Sequence, residues 1–147
     1  MENQYFSNQK IRKTKELSFF PVGLISKLGI SSPVVRDGKI VGFFDGWIGN
    51  RVFAVDMAGF AVNVKTIKKA WSQSEKLEMP FKVSYEEDGF LKNLGIQPED
   101  GEPLADNCTK VLVWHTQTYP PNISKVKIRV DKGRLANSNI PLIYPLL

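Results

Sequence analysis

Pro33-Val34-Val35-Arg36-Asp37-Gly38-Lys39-Ile40-Val41-Gly42-Phe43-Phe44 is the stretch from which the fold can be worked outward. An Asp-Gly pair between two β-branched runs is a strong signal for a two-residue hairpin turn, because both central residues of that turn take positive φ. The flanks, Pro33 to Val35 and Ile40 to Phe44, are therefore expected to form two antiparallel strands. Just upstream, Ser31-Ser32-Pro33 reads as a turn. Leu17 to Ile25 is apolar enough for a buried strand, and Pro21 and Gly23 predict that it is irregular in its middle. Tyr5 to Lys15 is polar and basic, with Phe6 and Ile11 spaced for one face, as at the end of a helix.

Downstream of the hairpin, Asp45 to Asn50 collects turn-forming residues around Trp47. Phe60, Val62 and Val64 alternate with Ala61, Asn63 and Lys65, which is strand periodicity. Thr66 to Trp71 continues as a short helix, and Ser72 to Pro80 is a polar loop. Ser84 to Leu94 reads as a second short helix with Glu86, Glu87 and Asp88 in its first turn, where exposed amides favour carboxylates, and with Gly95 to close it. Gln97 to Ala105 is a Pro-containing loop. Thr109 to His115 reads as the clearest strand, broken by Tyr119-Pro120-Pro121, and Lys125 to Val130 as an edge strand with a basic outer face. The pattern is mixed α/β in one domain, with no internal repeat.

The 147 residues are 42% hydrophobic and 24% charged, ordinary globular composition. No apolar run is long enough to span a bilayer, and the first residues lack a signal-peptide pattern. The net charge of +5 sits mostly near the two ends. It reads as a solvated face, since no nucleic-acid motif accompanies it. The single cysteine, Cys108, excludes an intrachain disulfide and a cysteine-built metal cluster. Asn107-Cys108-Thr109 and Asn122-Ile123-Ser124 are N-glycosylation sequons at Asn107 and Asn122, a weak pointer to a secretory history.

Polar residues inside apolar segments carry the chemistry. Asp56 lies in Val55-Asp56-Met57-Ala58-Gly59-Phe60, where a carboxylate has to be paired or hydrogen-bonded. Arg51, five residues earlier, is the obvious partner, and such a pair serves equally to shape a loop or a site. His115, the only histidine, ends the expected strand at Thr109 to His115 and is by residue type more often structural than catalytic. Glu86-Glu87-Asp88 is by composition a solvated helix start.

Several blocks nonetheless resemble one family. They are Phe20 to Leu24, Asp37 to Phe43, Trp47 to Arg51, Asp56 to Val62 and Asn107 to Thr116. Together they are similar, nearly continuously from Phe20 to Thr118, to the β-1,3-glucuronosyltransferases (glycosyltransferase family 43). The resemblance implies the C-terminal, acceptor-binding half of a GT-A type fold: a mixed sheet with flanking short helices, residues 1–147 forming a single partial domain. It implies inverting transfer of glucuronic acid from UDP-glucuronate to the 3-hydroxyl of a terminal galactose, with Mn²⁺ as metal, a Golgi lumenal setting and a homodimer. Residue by residue, Trp47 matches an aromatic lining the acceptor sugar, Arg51 and Asp56 match residues bonding acceptor hydroxyls, Glu87 matches the general base, and His115 matches a contact to the UDP diphosphate.

The chain also departs from the family pattern. The aspartate-rich motif that holds Mn²⁺ in relatives has no counterpart here; by spacing it falls just before Met1, as do the nucleotide-binding half, stem and membrane anchor. Ser31 stands where relatives carry an acceptor-contacting carboxylate, and Gln117 where they carry an arginine. No equivalent of a second basic residue just before Glu87 aligns, though Lys82 is nearby, and the tail after Thr118 diverges. Two other readings therefore stand beside the enzyme: an inactive lobe that at most binds galactosides or pairs with another chain, and a basic protein that binds anionic polysaccharide through its ends.

Overall fold

The computed structural model describes residues 11–73, 85–116, 118–119 and 135–143. Of the loop expected at Ser72 to Pro80, Ser72 and Gln73 are the last residues of a helix; the remainder of it, the edge strand at 125–130, Lys82, Gln117 and the sequon at Asn122 lie outside the described residues. Among the described residues the strands are β1 (Leu17–Phe19), β2 (Val22–Ile25), β3 (Gly29–Arg36), β4 (Lys39–Phe44), β5 (Phe60–Val62), β6 (Glu102–Pro103) and β7 (Val113–Trp114). The helices are α1 (Val64–Gln73), α2 (Glu86–Asn93) and α3 (Ile140–Ile143), with single 3₁₀ turns at Met57–Gly59 and Pro98–Asp100. Among these residues no helix is long and apolar enough to cross a membrane.

The expected hairpin forms. β3 and β4 pair antiparallel down to Arg36 opposite Lys39, with Asp37 and Gly38 at φ 48° and 75° in the turn between them. The register slips once, Val34 facing Gly42 and Val35 facing Ile40, so Val41 is an extra residue. That bulge decides the packing. Alternation would put Ile40 and Phe43 on opposite faces, but one inserted residue returns both to the same face. There they join Leu17, Phe19, Val35, Phe53, Val55 and Leu91 in the main core. Phe19, Phe43 and Phe53 pack ring on ring at 5.5–6.3 Å. Val34 and Phe44 turn the other way, onto Ile30, Ile140 and Ile143.

The apolar run at Leu17 to Ile25 is two strands in two sheets. β1 is the centre of a three-stranded sheet, β5-β1-β6, and β2 belongs to a four-stranded sheet, β4-β3-β2-β7. Pro21, which cannot donate to a ladder, sits at the crossing. The later segment repeats the move, since β6 pairs parallel with β1 and β7 parallel with β2.

Three expectations about elements are overturned. Val64 and Lys65, expected to continue the strand from Phe60, instead open α1. Ser31-Ser32-Pro33 is not a turn but the middle of β3, fully buried. The edge of β3 that carries residues 31, 33 and 35 meets β2 only as far as Ser31. Beyond that point Asn139 takes over, accepting from the Val35 amide at 2.7 Å and donating to the Pro33 carbonyl at 3.0 Å. The missing N–H of Pro33 falls on that side, so no ladder bond with β4 is lost.

The strand expected at Thr109 to His115 shrinks to Val113–Trp114. It is preceded by a left-handed turn, with Ala105, Asp106, Asn107 and Cys108 at φ 54–62°. Left-handed backbone costs about 1–2 kcal/mol per residue for an L side chain. The turn is held by Cys108 and Ala105 in the core, by Asn139 donating to the Cys108 carbonyl at 2.9 Å, and by the Lys110 amide donating to the Ala105 carbonyl. Asn107, the first sequon residue, is exposed at its crest.

Candidate functional site

The segment from Asp45 to Gly59, which leaves β4 and returns at β5, carries three of the candidate residues. At its start, Asp45 Oδ1 accepts from the Trp47 amide at 2.8 Å, an Asx turn that folds the chain back on itself. The same oxygen takes Arg51 Nη2 at 3.1 Å in an ion pair whose side chains are only 6% and 9% exposed. Arg51 also donates to the carbonyls of Trp47 and Val55, and its guanidinium carbon lies 4.5 Å from the Trp47 ring centre. The partner expected for Arg51 was Asp56; it is Asp45. The reason is local: the Asx turn brings the Asp45 carboxylate under the guanidinium, whereas Asp56 is drawn away by its own 3₁₀ turn. Every contact of Arg51 seen here is internal, so its first effect is to fix the loop and the indole.

Trp47 stays 39% exposed. Tyr85, at the N-cap of α2, meets it edge-on, ring centres 5.2 Å apart at 75°. α2 is tied to the same loop by Asp88. This carboxylate is 1% exposed and accepts from the Val52 and Phe53 amides, both at 2.8 Å, while its other oxygen takes Lys92 Nζ at 2.6 Å. The acidic first turn is therefore not a plain solvated face, because one of its three carboxylates is a buried clasp. Glu87, between Tyr85 and Asp88, is half-buried. It shares a helix face with fully buried Leu91 one turn on. Among the described residues no hydrogen bond or ion pair engages its carboxylate or that of Glu86.

Asp56 caps the 3₁₀ turn Met57–Gly59, its Oδ1 accepting from the Ala58 amide at 2.9 Å. Its Oδ2 is 2.9 Å from Nδ1 of His115. The pairing follows from the fold. Gly59 lets the turn lie against β2, where an added Cβ would sit 3.3 Å from Val22 Cγ2. β7 pairs with β2 and delivers His115, whose amide bonds the Gly23 carbonyl at 3.0 Å. The structure thus forms two clusters on one loop, Trp47-Arg51-Asp45 with α2, and Asp56 with His115, linked through Arg51 to the Val55 carbonyl.

Asp45, Tyr85 and Asp88 were not singled out by residue type. Asp45-Gly46-Trp47 carries the Asx-turn signal, and Asp88 stands one helical turn before the apolar Leu91; both hints exist in the sequence. Ser31 is buried in β3. Among the described residues no three His, Cys, Asp or Glu side chains converge as a metal site. These described residues do not fit a bound Mn²⁺.

The profile of glycosyltransferase family 43 matches residues 3–119. A Drosophila melanogaster protein named galactosylgalactosylxylosylprotein 3-beta-glucuronosyltransferase S is 49% identical over 119 residues, covering 81% of this chain and 28% of its own length. The P form from the same fly is 43% identical over 140 residues, covering 95% of this chain and 28% of its own. The human protein named galactosylgalactosylxylosylprotein 3-beta-glucuronosyltransferase 2 is 40% identical over 124 residues, 79% of this chain and 35% of its own. The chain thus spans roughly a quarter to a third of the length of these relatives. With its mixed sheets and short helices fitting part of a GT-A type domain, the chain belongs to glycosyltransferase family 43.

Proposed function

We propose that this chain supplies the acceptor-binding and proton-accepting side of an inverting glucuronosyltransferase. The donor is UDP-glucuronate and the acceptor the 3-hydroxyl of a terminal galactose, in a proteoglycan linker or a glycoprotein glycan. The nucleotide and Mn²⁺ are held by residues other than those described, in a Golgi lumenal enzyme that works as a homodimer. The observation that supports the reading is the contact of Tyr85 with Trp47, because it ties the start of α2, where half-buried Glu87 lies, to the loop that carries an exposed indole.

A galactose packs its C–H face on the Trp47 ring, and Asp56 and Arg51 line the hydroxyl side. The 3-oxygen attacks the anomeric carbon of glucuronate from the face opposite UDP. Its proton passes to the Glu87 carboxylate as the new C–O bond forms, and the bond to the UDP oxygen breaks with the electron pair leaving on the diphosphate. His115 meets that developing charge. A positioned general base contributes about 10²–10⁴-fold. In the assembled enzyme Glu87→Gln is therefore expected to lower kcat by at least about 100-fold with UDP affinity unchanged. Near-normal kcat would assign the proton to Glu86 or another group.

A second reading is a lobe that binds galactosides without turning over; it fits the described residues, among which no three His, Cys, Asp or Glu side chains converge on one point. The 147-residue chain alone, given UDP-glucuronate, Mn²⁺ and a galactosyl acceptor, is expected to show no transfer. N-acetyllactosamine should still shift the Trp47 indole N–H signal. Turnover by the chain alone would overturn the division of labour proposed here, and an unmoved Trp47 signal would remove the acceptor site.

A further inference from the structure

Acceptor and donor roles were assigned to Asp56 and His115 separately, yet the two side chains form one hydrogen-bonded unit. We propose that Asp56 is a positioning residue for His115: it holds the imidazole by Nδ1, so that Nε2 is the nitrogen left for the donor's diphosphate. The naming of the diphosphate rests on the glucuronosyltransferase reading above. The positioning itself rests only on the geometry.

Both partners are held from outside the pair. The Asp56 carboxylate is fixed by the Ala58 amide on Oδ1, and its backbone carbonyl by the Gly59 amide at 2.8 Å. The His115 backbone is fixed by the Gly23 carbonyl at the end of the β2–β7 pair. What remains free is the rotation of the imidazole, and the 2.9 Å contact from Oδ2 to Nδ1 removes it. An ionised carboxylate only accepts, so Nδ1 carries the proton in this contact. The Asp56 side chain is 16% exposed and that of His115 43%, so the buried member steers the accessible one. An Nε2 that meets a diphosphate oxygen must itself carry a proton, and the ring is then a cation whose balancing charge is Asp56. Oδ2 keeps lone pairs for a sugar hydroxyl, so the acceptor and donor sides would meet in this single pair.

His115 is the only histidine, so its ring nitrogens give the only imidazole signals of the chain. Long-range ¹H–¹⁵N spectra of the whole chain, taken where the ring is neutral, are expected to show mainly the Nδ1-protonated tautomer. Asp56→Asn keeps an oxygen for the Ala58 amide and turns an NH₂ donor toward Nδ1, so the proton should move to Nε2 and the tautomer ratio invert. A wild-type ring mainly protonated on Nε2 overturns the positioning, and this needs no variant to fold. An unchanged ratio in Asp56→Asn overturns it as well. UDP, added to the assembled enzyme that includes the nucleotide-binding residues, is the second probe. It should shift the wild-type ring signals, and Asp56→Asn should bind it about tenfold more weakly, equivalent to ~1.4 kcal/mol. UDP that leaves the ring untouched while the tautomer behaves as stated overturns the diphosphate assignment alone. The two claims therefore fail separately.

Discussion

Asp88 offers the sharpest quantitative test of how the site is held. Its carboxylate is buried at 1% exposure and satisfies the Val52 and Phe53 amides with one oxygen and Lys92 with the other. Asp88→Ala removes two hydrogen bonds to a charged acceptor, each worth about 1.5–3 kcal/mol, and leaves amides in the interior without a partner. The two bonds share one oxygen, so they do not add fully, and the expected loss is ~3–5 kcal/mol. That is a large part of a typical domain stability of about 5–15 kcal/mol. Lys92→Ala serves as the control. The Lys92 side chain is 44% exposed, so its ammonium is largely solvated, and Lys92→Ala leaves the buried Asp88 carboxylate its two amides; this variant should cost about 1–2 kcal/mol, clearly less than Asp88→Ala. Asp88→Asn keeps an uncharged acceptor for the amides and should fall between the two. Equilibrium urea unfolding reads all three as shifts in midpoint at constant slope. The Trp47 indole N–H signal should shift in folded Asp88→Ala as Tyr85 parts from the ring, because the clasp is what holds α2 to the loop. Equal losses in Asp88→Ala and Lys92→Ala would refute the reasoning, since the ion pair rather than the amide clasp would then be the stabilising element.

Gly101→Ala would place a Cβ 2.6 Å from Phe19 Cε2, in the centre of the aromatic core, and should lower stability by about 1–3 kcal/mol in thermal melts. Asn139→Ala strips the Val35 amide and the Cys108 carbonyl of their side-chain partner, while the Pro33 carbonyl keeps the Ser32 hydroxyl, and should cost ~2–4 kcal/mol; urea unfolding unchanged by this variant would show that β3 does not need its side-chain edge. Burial pushes the Cys108 thiol far above its ordinary value of 9.0. The unfolded thiol therefore ionises first, and stability should be intact below pH 9 and fall above it by up to ~1.4 kcal/mol per pH unit from this group. Comparing unfolding of the wild type and Cys108→Ala at alkaline pH isolates that slope, and equal slopes would mean the thiol is not buried.

Local chemistry alone carried the hairpin and the helix at 86–93. Asp37-Gly38 demands positive φ at both positions wherever it occurs, and an acidic first turn closed by Gly95 needs no distant partner. The Pro21 break in the first apolar run was equally legible. The Ser31-Ser32-Pro33 segment was misread because propensity favours a turn there, while Asn139, a hundred residues away in the chain, satisfies the strand edge. The strand at Thr109 to His115 was overestimated because an apolar run does not reveal that the residues before it wind left-handed to bury Cys108. Resemblance named Trp47, Arg51, Asp56, Glu87 and His115 as candidates, but it did not name the partners they have in the structure.

What the sequence by itself determined is therefore the mixed α/β class, the hairpin, the short helices and the family to which the motifs belong, since each depends on residues near one another in the chain. Only the tertiary structure decided that Arg51 pairs with Asp45, that Asp88 clasps two amides of a distant loop, and that Asp56 meets His115. Those choices are competitions among several oppositely charged or hydrogen-bonding groups. Whichever group the strand pairings and turns bring within about 3 Å wins, because hydrogen bonds weaken steeply with distance and angle.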